Sequence, residues 1–485
     1  MSEEISLAKN TFYLTLASVG QKAIAFFYFA LLARLMGVEN TGSYFLALAV
    51  IMILSAFNDF GLNSVLIREV AKNKNQAKIW LRSVIGIKFI TVPLTVFIAF
   101  VLPHFLQYNE ETTHLIKIAT IIMVLDTFSL TFYGALRGLH VLKYEAIGLF
   151  IGQLISAIIG SFLLLSGKAT LPLLILVLSA GSLWNFIFSG FQVARYLGIK
   201  ALLPGWILGF RPIKISFAFF LAAVFVKVYS YIDSFILSLK IGEHAVGIYS
   251  VAYKLTYAFQ FIPLAFIAAL YPAMSARSKK ISDLKKILID ALWYVMAIGA
   301  PIVFGIWALA PEIIDIFYGT DYSASVLPLQ ILIFVLLFIF LDFPLGALLN
   351  ATDRQVIKTG IMGATMMVNI VANLFFIPLL GVSGAAVSAL ISFIFMFAAG
   401  WYFVAEITKI KFIELVQLVW RLLLAAIVMA IMVILVKPYL PIFISVIIGA
   451  LIYLMAVIAF QAVQPEYRRR ILGFFNKYEG DSADK

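Results

Sequence analysis

The chain has 485 residues, of which 63% are hydrophobic and 12% are charged, and its formal net charge is +12. A soluble protein of this length carries about 25% charged residues, so the composition excludes an ordinary soluble enzyme. The absence of cysteine also excludes disulfides, thiolate metal sites and cysteine nucleophiles. We therefore expect an integral membrane protein.

Apolar segments alternate with short polar joints along the chain, and each is about twenty residues long, the length that a helix needs to cross a bilayer. Spanning strands are about half as long and alternate in polarity, so they are not expected. No cleavable leader precedes the first segment, and we expect no signal peptide to be removed. The predicted fold class is an all-α integral membrane protein with fourteen spanning helices, at 11–36, 42–66, 83–106, 114–138, 144–166, 172–195, 215–239, 245–274, 288–310, 325–350, 356–380, 383–405, 413–436 and 441–463.

Lys and Arg decide the expected orientation, because loops on the cytoplasmic side keep an excess of them. If the N-terminus lies inside, the even-numbered loops and the tail hold most basic residues, including Arg68, Lys72, Arg195, Arg211, Arg277, Lys279, Arg468, Arg469 and Arg470. The odd-numbered loops then hold acidic residues, including Glu110, Glu111, Glu312, Asp315 and Asp321. We expect both termini to be cytoplasmic, with the basic tail against anionic lipid head groups and no nucleic-acid partner.

An internal repeat relates the two halves of the chain. Four residues at the end of span one and the start of span two recur at one constant offset: Gly37, Gly42, Tyr44 and Ala47 match Gly242, Gly247, Tyr249 and Ala252. A repeated six-helix unit in the same orientation gives two lobes around a central cavity. We expect an N-lobe at 1–205, a C-lobe at 206–410, two additional spans at 411–463 and a basic cytoplasmic tail at 464–485.

Several short motifs carry a family resemblance. They are Ala33-Arg34-Leu35-Met36-Gly37, Asn58-Asp59-Phe60-Gly61-Leu62, Arg68-Glu69-Val70-Ala71, Leu136-Arg137-Gly138 and Gly381-Val382-Ser383-Gly384-Ala385-Ala386. Together they resemble polysaccharide flippases of the Wzx type, in the multidrug, oligosaccharidyl-lipid and polysaccharide exporter superfamily. The resemblance covers essentially the whole chain. It implies a prokaryotic cell-membrane protein with two six-helix lobes in a V, alternating access, and two additional C-terminal helices.

Three lysines are expected inside spans, where a charged side chain costs about 2.5 to 3.5 kcal/mol on insertion scales. Lys22 and Lys227 occupy equivalent positions of the repeat, and Lys254 lies in span eight. Cations that face each other across a low-dielectric cavity repel unless an anion lies between them, which suits a pyrophosphate head group. The alternative is that these lysines snorkel or pair locally, for example Lys227 with Asp233.

Helical spacing extends these positions into polar stripes. Lys227, Ser230 and Ser234 follow one face of span seven, and Lys254 and Tyr257 follow a face of span eight; stripes of this kind line water. Tyr257 could stack on a sugar ring, although tyrosines at this spacing more often pack between helices. Arg34 matches the family motif, although an interfacial arginine is usually an anchor. The predicted substrate-binding residues are therefore Lys22, Lys227, Lys254, Tyr257 and Arg34.

Four carboxylates are also expected within spans: Asp59, Asp126, Asp233 and Asp342. A buried carboxylate can bind a proton or a sodium ion, so these residues are candidates for coupling transport to an ion gradient. The alternative is that they neutralise the lysines or cap a helix break. We expect no cofactor and no metal site, because the four histidines lack metal-ligand spacing, and we expect no ATP hydrolysis because no P-loop occurs.

The combined prediction is a transporter and not an enzyme. We expect a flippase that moves a polyprenyl-pyrophosphate-linked oligosaccharide from the cytoplasmic to the outer leaflet, for cell-surface polysaccharide assembly such as that of O-antigen. Its partners would be this lipid-linked glycan, membrane lipids and other polysaccharide-assembly membrane proteins. A multidrug antiporter of the same superfamily is the alternative, but span one contains Lys22 and no acid. A membrane glycosyltransferase or polymerase is less favoured, because only Glu312 and Asp315 form a spaced acidic pair on the short outward loops.

Overall fold

The structure is a computed structural model that describes the backbone of residues 2–462 and the side chains of residues 19–267 and 270–462. All regular structure in this range is helical, and it contains the fourteen expected spanning segments. The expected basic tail at 464–485 lies outside the described residues. The helices are α1 (Ser2–Met36), α2 (Val38–Asp59), α3 (Leu62–Lys72), α4 (Ala77–Phe105), α5 (Glu110–Gly138), α6 (Lys143–Leu165), α7 (Leu171–Leu197), α8 (Arg211–Lys240), α9 (Glu243–Ala258), α10 (Phe261–Ala276), α11 (Ile281–Ala308), α12 (Ala310–Tyr318), α13 (Val326–Leu332), α14 (Val335–Ala351), α15 (Gln355–Leu380), α16 (Val382–Thr408), α17 (Phe412–Val436) and α18 (Ile442–Ala459).

Span two ends earlier than the expected residue 66. Phe60 and Gly61 both adopt left-handed backbone conformations, with φ angles of 48° and 69°, and this stops α2 at Asp59. A Cβ atom at position 61 would collide with the backbone of α8, so only glycine fits there. The following helix α3 is amphipathic, with Leu62, Val65, Leu66 and Val70 buried and its basic residues toward solvent.

Span eight is divided into α9 and α10, whereas the hydropathy pattern predicted one continuous helix at 245–274. The break lies at Phe259 and Gln260. Pro263 lies four residues after Phe259, and its ring excludes the normal helical contact with that carbonyl group. The helix is therefore interrupted in the middle of the span, and Gln260 is half-buried at the break.

Helix packing follows the same pattern in the two halves. α1 packs on α6 as α8 packs on α15, and α5 packs on α7 as α13 and α14 pack on α16. α4 packs on α5 in the same way as α11 packs on α14. This arrangement is consistent with two pseudo-symmetric six-span lobes. The two additional spans α17 and α18 pack on each other, and α17 attaches them to the C-terminal half through α11.

The two ends of the helix bundle differ in charge. We call the end that carries Glu110, Glu111, Glu243, Glu312 and Asp315 the acidic end, and the end that carries Arg68, Lys72, Arg195, Arg211 and Arg277 the basic end. At the basic end, α3 contacts α8: the ring of Phe60 stacks on that of Phe220 at 4.0 Å, and Arg68 lies 5.6 Å above the ring of Phe219.

At the acidic end the two halves are in backbone contact. α2 crosses α9 at two glycines, because a Cβ atom on Gly42 would collide with the carbonyl oxygen of Glu243 and one on Gly247 would collide with that of Val38. Tyr322 adds a hydrogen bond from its hydroxyl group to the carbonyl oxygen of Ala33 at 3.1 Å. These contacts leave no space between the two halves at this crossing.

Glu243 links the two halves at this crossing, because its carboxylate accepts hydrogen bonds from three side chains of the N-terminal half. Ser43 Oγ donates at 2.7 Å, Asn109 Nδ2 donates at 3.1 Å, and the hydroxyl group of Thr112 also donates. Next to them, the hydroxyl group of Tyr108 lies 2.7 Å from Ser238 Oγ. Burial, together with the nearby carboxylate of Glu243, raises the pKa of Tyr108 to about 12, so it stays neutral at physiological pH.

Candidate functional site

Two cavities lie between the middle of the membrane and the basic end, one in each half of the molecule. The N-lobe cavity, of about 340 Å³, is lined by residues of α2, α3, α5 and α8. The C-lobe cavity, of about 610 Å³, is lined by residues of α8, α10, α14, α15 and α16. Helix α8 borders both, because Lys227 lines the first and Tyr229 and Ser230 line the second.

The N-lobe cavity contains a buried ion pair that the sequence analysis did not identify. Lys88 is fully buried, and its Nζ lies 2.9 Å from Asp59 Oδ1 and 3.4 Å from Asn63 Oδ1. The expectation of only three lysines within spans is therefore wrong. Lys88 falls inside the expected span 83–106, and the nearby acid Asp59 was the signal that could have revealed it. This placement agrees with the alternative in which Asp59 neutralises a lysine.

Lys227 has no carboxylate within ion-pair distance among the described side chains. Its Nζ lies 3.7 Å from Met52 Sδ, and the carboxylate of Asp126, which lines the same cavity, attracts it from a longer distance. The local pair with Asp233 is not formed. Asp233 instead accepts hydrogen bonds from Tyr249 at 2.7 Å and from Asn373 at 2.6 Å.

Lys22 and Lys254 complete a cluster of like charge with Lys227. The Nζ of Lys254 lies 5.2 Å and 5.5 Å from the ring centres of Phe29 and Phe45. Lys22 is exposed on α1 and is close enough to repel both Lys227 and Lys254. The structure thus brings the three predicted lysines together from α1, α8 and α9, with no ion pair among the described residues. We call Lys22, Lys227 and Lys254 the central lysines.

The other predicted substrate-binding residues lie elsewhere. The ring of Tyr257 is 4.3 Å from that of Tyr253 and 6.4 Å from that of Phe393, so it packs in an aromatic cluster and lines neither cavity. Arg34 lies at the acidic end, where its Nη1 donates to the carbonyl oxygen of Ile316 at 2.6 Å. The structure therefore separates Arg34 from the central lysines, whereas Tyr257 lies one turn from Lys254 on α9 with its ring packed against other aromatic side chains.

The expected polar stripe on span seven is divided between different environments. Lys227 lines the N-lobe cavity, Ser230 lines the C-lobe cavity, and Ser234 is buried in helix packing. Since α8 runs along the boundary between the two cavities, residues three positions apart face different cavities. The stripe therefore does not form one continuous polar surface.

The C-lobe cavity contains the second buried ion pair. The Nζ of Lys358 lies 2.6 Å from Asp342 Oδ2, and both side chains are about 10% exposed. Asp342 was an expected intramembrane carboxylate, but Lys358, the third residue of the expected span 356–380, was not predicted to lie inside the membrane. Three uncharged polar residues, Ser230, Gln260 and Asn350, line the same cavity.

Asp233 belongs to a third polar site, which is closed to solvent. Besides its bonds to Tyr249 and Asn373, it lies near the side chain of Asn369. The side-chain oxygens of Asn369 and Asn373 are buried and accept no hydrogen bond. Because the hydroxyl group of Tyr249 and the amide nitrogen of Asn373 donate to it, the buried carboxylate is held by neutral hydrogen-bond donors and by no basic side chain among the described residues.

Comparison with known proteins identifies the family. Residues 7–278 match the family model described as polysaccharide biosynthesis protein, and residues 218–375 match the MatE model. The chain belongs to the polysaccharide biosynthesis protein family. Over 467 residues it is 22% identical to the probable low-salt glycan biosynthesis flippase Agl15 of Haloferax volcanii, with 95% of this chain and 97% of that protein covered. It is 23% identical to the capsular polysaccharide biosynthesis protein CapF of Staphylococcus aureus over 83% of this chain and 100% of that one.

Solved structures agree on the fold of this polysaccharide biosynthesis family member. The lipid II flippase MurJ in an inward closed conformation superimposes with a TM-score of 0.76 at 19% identity, over 92% of this chain and 98% of that one. An inward-facing multidrug resistance MATE transporter superimposes with a TM-score of 0.66 at 15% identity, over 82% and 99%. These structural matches confirm the predicted all-α membrane fold.

Proposed function

We propose that this protein is a flippase that moves a polyprenyl-pyrophosphate-linked oligosaccharide from the cytoplasmic leaflet to the outer leaflet of the cell membrane. The observation that carries this proposal is the cluster of central lysines, which have no carboxylate partner within ion-pair distance. In this proposal the basic end is cytoplasmic, the central lysines bind the pyrophosphate, and the polyprenyl tail stays in lipid.

Two further lysines inside the membrane show why the absence of a carboxylate partner at the central lysines matters. Lys88 and Lys358 are each held by an aspartate, at 2.9 Å and 2.6 Å. A pair of unit charges 4 Å apart interacts by about 4 kcal/mol at an effective dielectric constant of 20, so a lysine cluster without such partners favours an anionic ligand. A pyrophosphate carries enough negative charge and enough acceptor oxygens to meet several ammonium groups at once.

The relatives support the same substrate class. The names of Agl15 and MurJ describe flippases of glycan biosynthesis and of lipid II, and CapF is named for capsular polysaccharide biosynthesis. A transporter role without catalysis fits these relatives. We extend to this chain alternating access, in which the two halves separate at the acidic end and close at the basic end, with membrane lipids and other polysaccharide-assembly membrane proteins as partners.

A multidrug antiporter is the second candidate, because the MatE model matches residues 218–375 and MATE transporters share the fold. An exporter of lipophilic cations needs a cavity that attracts positive charge. The central lysines give the opposite potential, and the acids Asp59 and Asp342 are neutralised by Lys88 and Lys358. The charge distribution therefore favours the flippase.

We further propose that the Asp233 site couples transport to a sodium or proton gradient. Asp233 is 1% exposed and has no basic partner among the described residues, unlike Asp59 and Asp342. A proton or a sodium ion on Asp233 would neutralise a buried carboxylate whose partners, Tyr249 and Asn373, are neutral donors. Asp126 is the remaining candidate, and its proximity to Lys227 gives it the different task of balancing that charge.

The test is a ligand-dependent thermal shift on the protein in lipid nanodiscs. A ligand at one hundred times its Kd stabilises the folded state by about 2.7 kcal/mol. We expect polyprenyl pyrophosphate to stabilise the wild type and to lose this effect in the Lys22→Ala, Lys227→Ala double variant. Stabilisation by lipophilic cationic dyes alone, or full flipping by the double variant in proteoliposomes, would contradict the proposal.

A further inference from the structure

We infer that the C-lobe cavity is the binding site for the uncharged sugar that is attached to the pyrophosphate, and that the N-lobe cavity does not hold the glycan. This inference rests on the proposed function. It implies that the sugar extends from the central lysines toward the C-terminal half of the molecule. Four features carry it: the volume of the cavity, its free hydrogen-bonding groups, its neutral charge and its position beside Lys227.

The C-lobe cavity has the size and composition of a site for a polar ligand. Its volume of about 610 Å³ lies in the usual range for small-molecule sites, and the N-lobe cavity is little more than half as large. One wall is aromatic, because Tyr229 and Phe393 pack edge to face at 5.8 Å. Such a wall presents CH and π surfaces to the apolar face of a sugar ring.

The polar groups of this cavity are free to bind a ligand. The side chains of Ser230, Gln260 and Asn350 make no hydrogen bond to any described residue, although each can donate and accept. They lie on α8, at the break between α9 and α10, and near the end of α14, so they approach the cavity from three sides. Sugar hydroxyl groups also donate and accept, which makes them suitable partners.

The uncharged polar groups of the N-lobe cavity are already used within the protein. Ser55 Oγ donates to the carbonyl oxygen of Met52 at 2.7 Å, and Thr127 Oγ1 accepts from Asn58 at 2.7 Å. Asn63 Oδ1 accepts from the hydroxyl group of Thr131 at 2.9 Å. A glycan in this cavity would have to replace existing hydrogen bonds, so it would gain little.

The charge of the C-lobe cavity indicates which sugars it accepts. Asp342 and Lys358, the charged residues that line it, neutralise each other at 2.6 Å. The pair therefore gives the site no net charge. The free hydrogen-bond donors of the site, on Ser230, Gln260 and Asn350, are uncharged, and Asp342 Oδ1 is a buried acceptor without a partner. An acidic sugar would be desolvated there without a cation to compensate it, so the site favours neutral and N-acetylated sugars.

The position of the cavity determines which sugar it contacts. Tyr229 and Ser230 follow Lys227 by two and three residues on α8, and Gln260 follows Lys254 by six residues. Although Lys227 and Ser230 line different cavities, they lie only about 4.5 Å apart along the axis of α8, so a pyrophosphate on Lys227 keeps the first sugar, rather than a distant one, within reach of these side chains. Asn350 and Lys358, which lie further toward the basic end, would meet the next part of the glycan.

The experiment compares two lipids that differ only in the first sugar: polyprenyl pyrophosphate and polyprenyl pyrophosphoryl-N-acetylglucosamine of the same chain length. Their Kd values are measured in nanodiscs for the wild type, for the Ser230→Ala, Gln260→Ala double variant, and for the matched control Ser55→Ala in the N-lobe cavity. We expect the sugar to tighten binding to the wild type by about 5-fold or more, since each net hydrogen bond contributes a factor of about 2 to 10.

The expected result is that the double variant loses this gain and binds both lipids with the affinity of the bare pyrophosphate, while Ser55→Ala keeps the gain. Equal binding of the two lipids by the wild type, or a gain that is lost only in Ser55→Ala, would overturn the inference and leave the pyrophosphate site intact. Failure of the wild type to bind either lipid would instead contradict the proposed function. The thermal unfolding midpoint of each ligand-free variant, measured in parallel, separates loss of binding from loss of folding.

Discussion

The lysines within the membrane form two groups. Burying a charge there costs free energy, and one group offsets this cost with an aspartate partner while the other group has no such partner. Lys88 and Lys358 lie deep inside one half each, and each is paired with an aspartate. The central lysines lie where the two halves meet, and they repel one another. A paired lysine contributes to folding, because its removal leaves a buried carboxylate alone. A lysine without a partner gives the folded chain little, so its benefit must come from a ligand.

The largest effect on stability is expected at Lys358. Lys358→Ala leaves Asp342 buried without a partner, and breaking a buried pair costs about 3 to 5 kcal/mol. We expect a strong fall in the fraction of protein that stays monodisperse after heating, measured by size-exclusion chromatography. The variant Asp342→Asn, Lys358→Met removes both charges and should recover most of that loss. If the double variant is as unstable as Lys358→Ala, the pair is not the cause.

A smaller loss is expected at Lys88. Its partner Asp59 is 26% exposed and lines a cavity, so water can solvate the carboxylate when the lysine is removed. We expect Lys88→Met to cost about 1 to 3 kcal/mol, within the range for a hydrogen bond to a charged group. The same heating assay tests this value against Lys358→Ala. A loss larger than that of Lys358→Ala would show that burial of the partner does not control the cost.

Replacing Lys254 should change the free energy of unfolding less than replacing Lys88 or Lys358 does. It should have a larger effect on the affinity for polyprenyl pyrophosphate. Stacking on Phe29 and Phe45 is worth about 0.5 to 2 kcal/mol, but Lys254→Met also removes the repulsion from Lys22. We expect the two terms to offset each other within about 1 kcal/mol, while the affinity for polyprenyl pyrophosphate falls about 10-fold or more. Unchanged affinity in the same nanodisc assay would remove Lys254 from the site.

The smallest effect is expected at Lys22, because it is exposed. We expect Lys22→Gln to leave the unfolding midpoint unchanged and to lower the affinity for pyrophosphate by about 2- to 5-fold. The difference between wild type and variant should shrink as the salt concentration rises, since screening weakens exposed charges more than buried ones. A difference that does not depend on salt would indicate that the lysine acts through packing.

The sequence predicted the fold well because hydropathy acts locally along each span. It identified fourteen spanning helices, but it did not predict that two glycines of the repeat, Gly42 and Gly247, lie at the crossing between the two halves. It missed the end of span two, since the turn at Phe60 and Gly61 depends on a close contact with α8. That contact joins residues far apart in sequence, which periodicity within one helix does not detect.

The candidate site was predicted less completely, because pairing depends on three-dimensional distance. Lys22 and Lys227 were identified from the repeat and Lys254 from its place inside span eight, but Lys88 and Lys358 were overlooked near the ends of their spans. Helical spacing also placed Ser230 and Ser234 on one face with Lys227, although neighbouring helices divide that face between two cavities and a packed interface. A pattern within one helix shows which residues share a side, but not which neighbour covers it.

At the crossing of Gly42 and Gly247 the two halves are in backbone contact. In the proposed alternating access, the balance between closed and separated halves would therefore depend on the size of the side chains at these two positions. A methyl group at either position would act as a wedge that raises the energy of the state described here while leaving a state with separated halves unaffected. The hydrogen bonds to Glu243 can be replaced by water when the halves part, so this polar network adds little to the barrier. In the proposed alternating access, the population of the closed acidic end would therefore depend on this close packing of backbone against backbone, which a single added carbon atom disrupts.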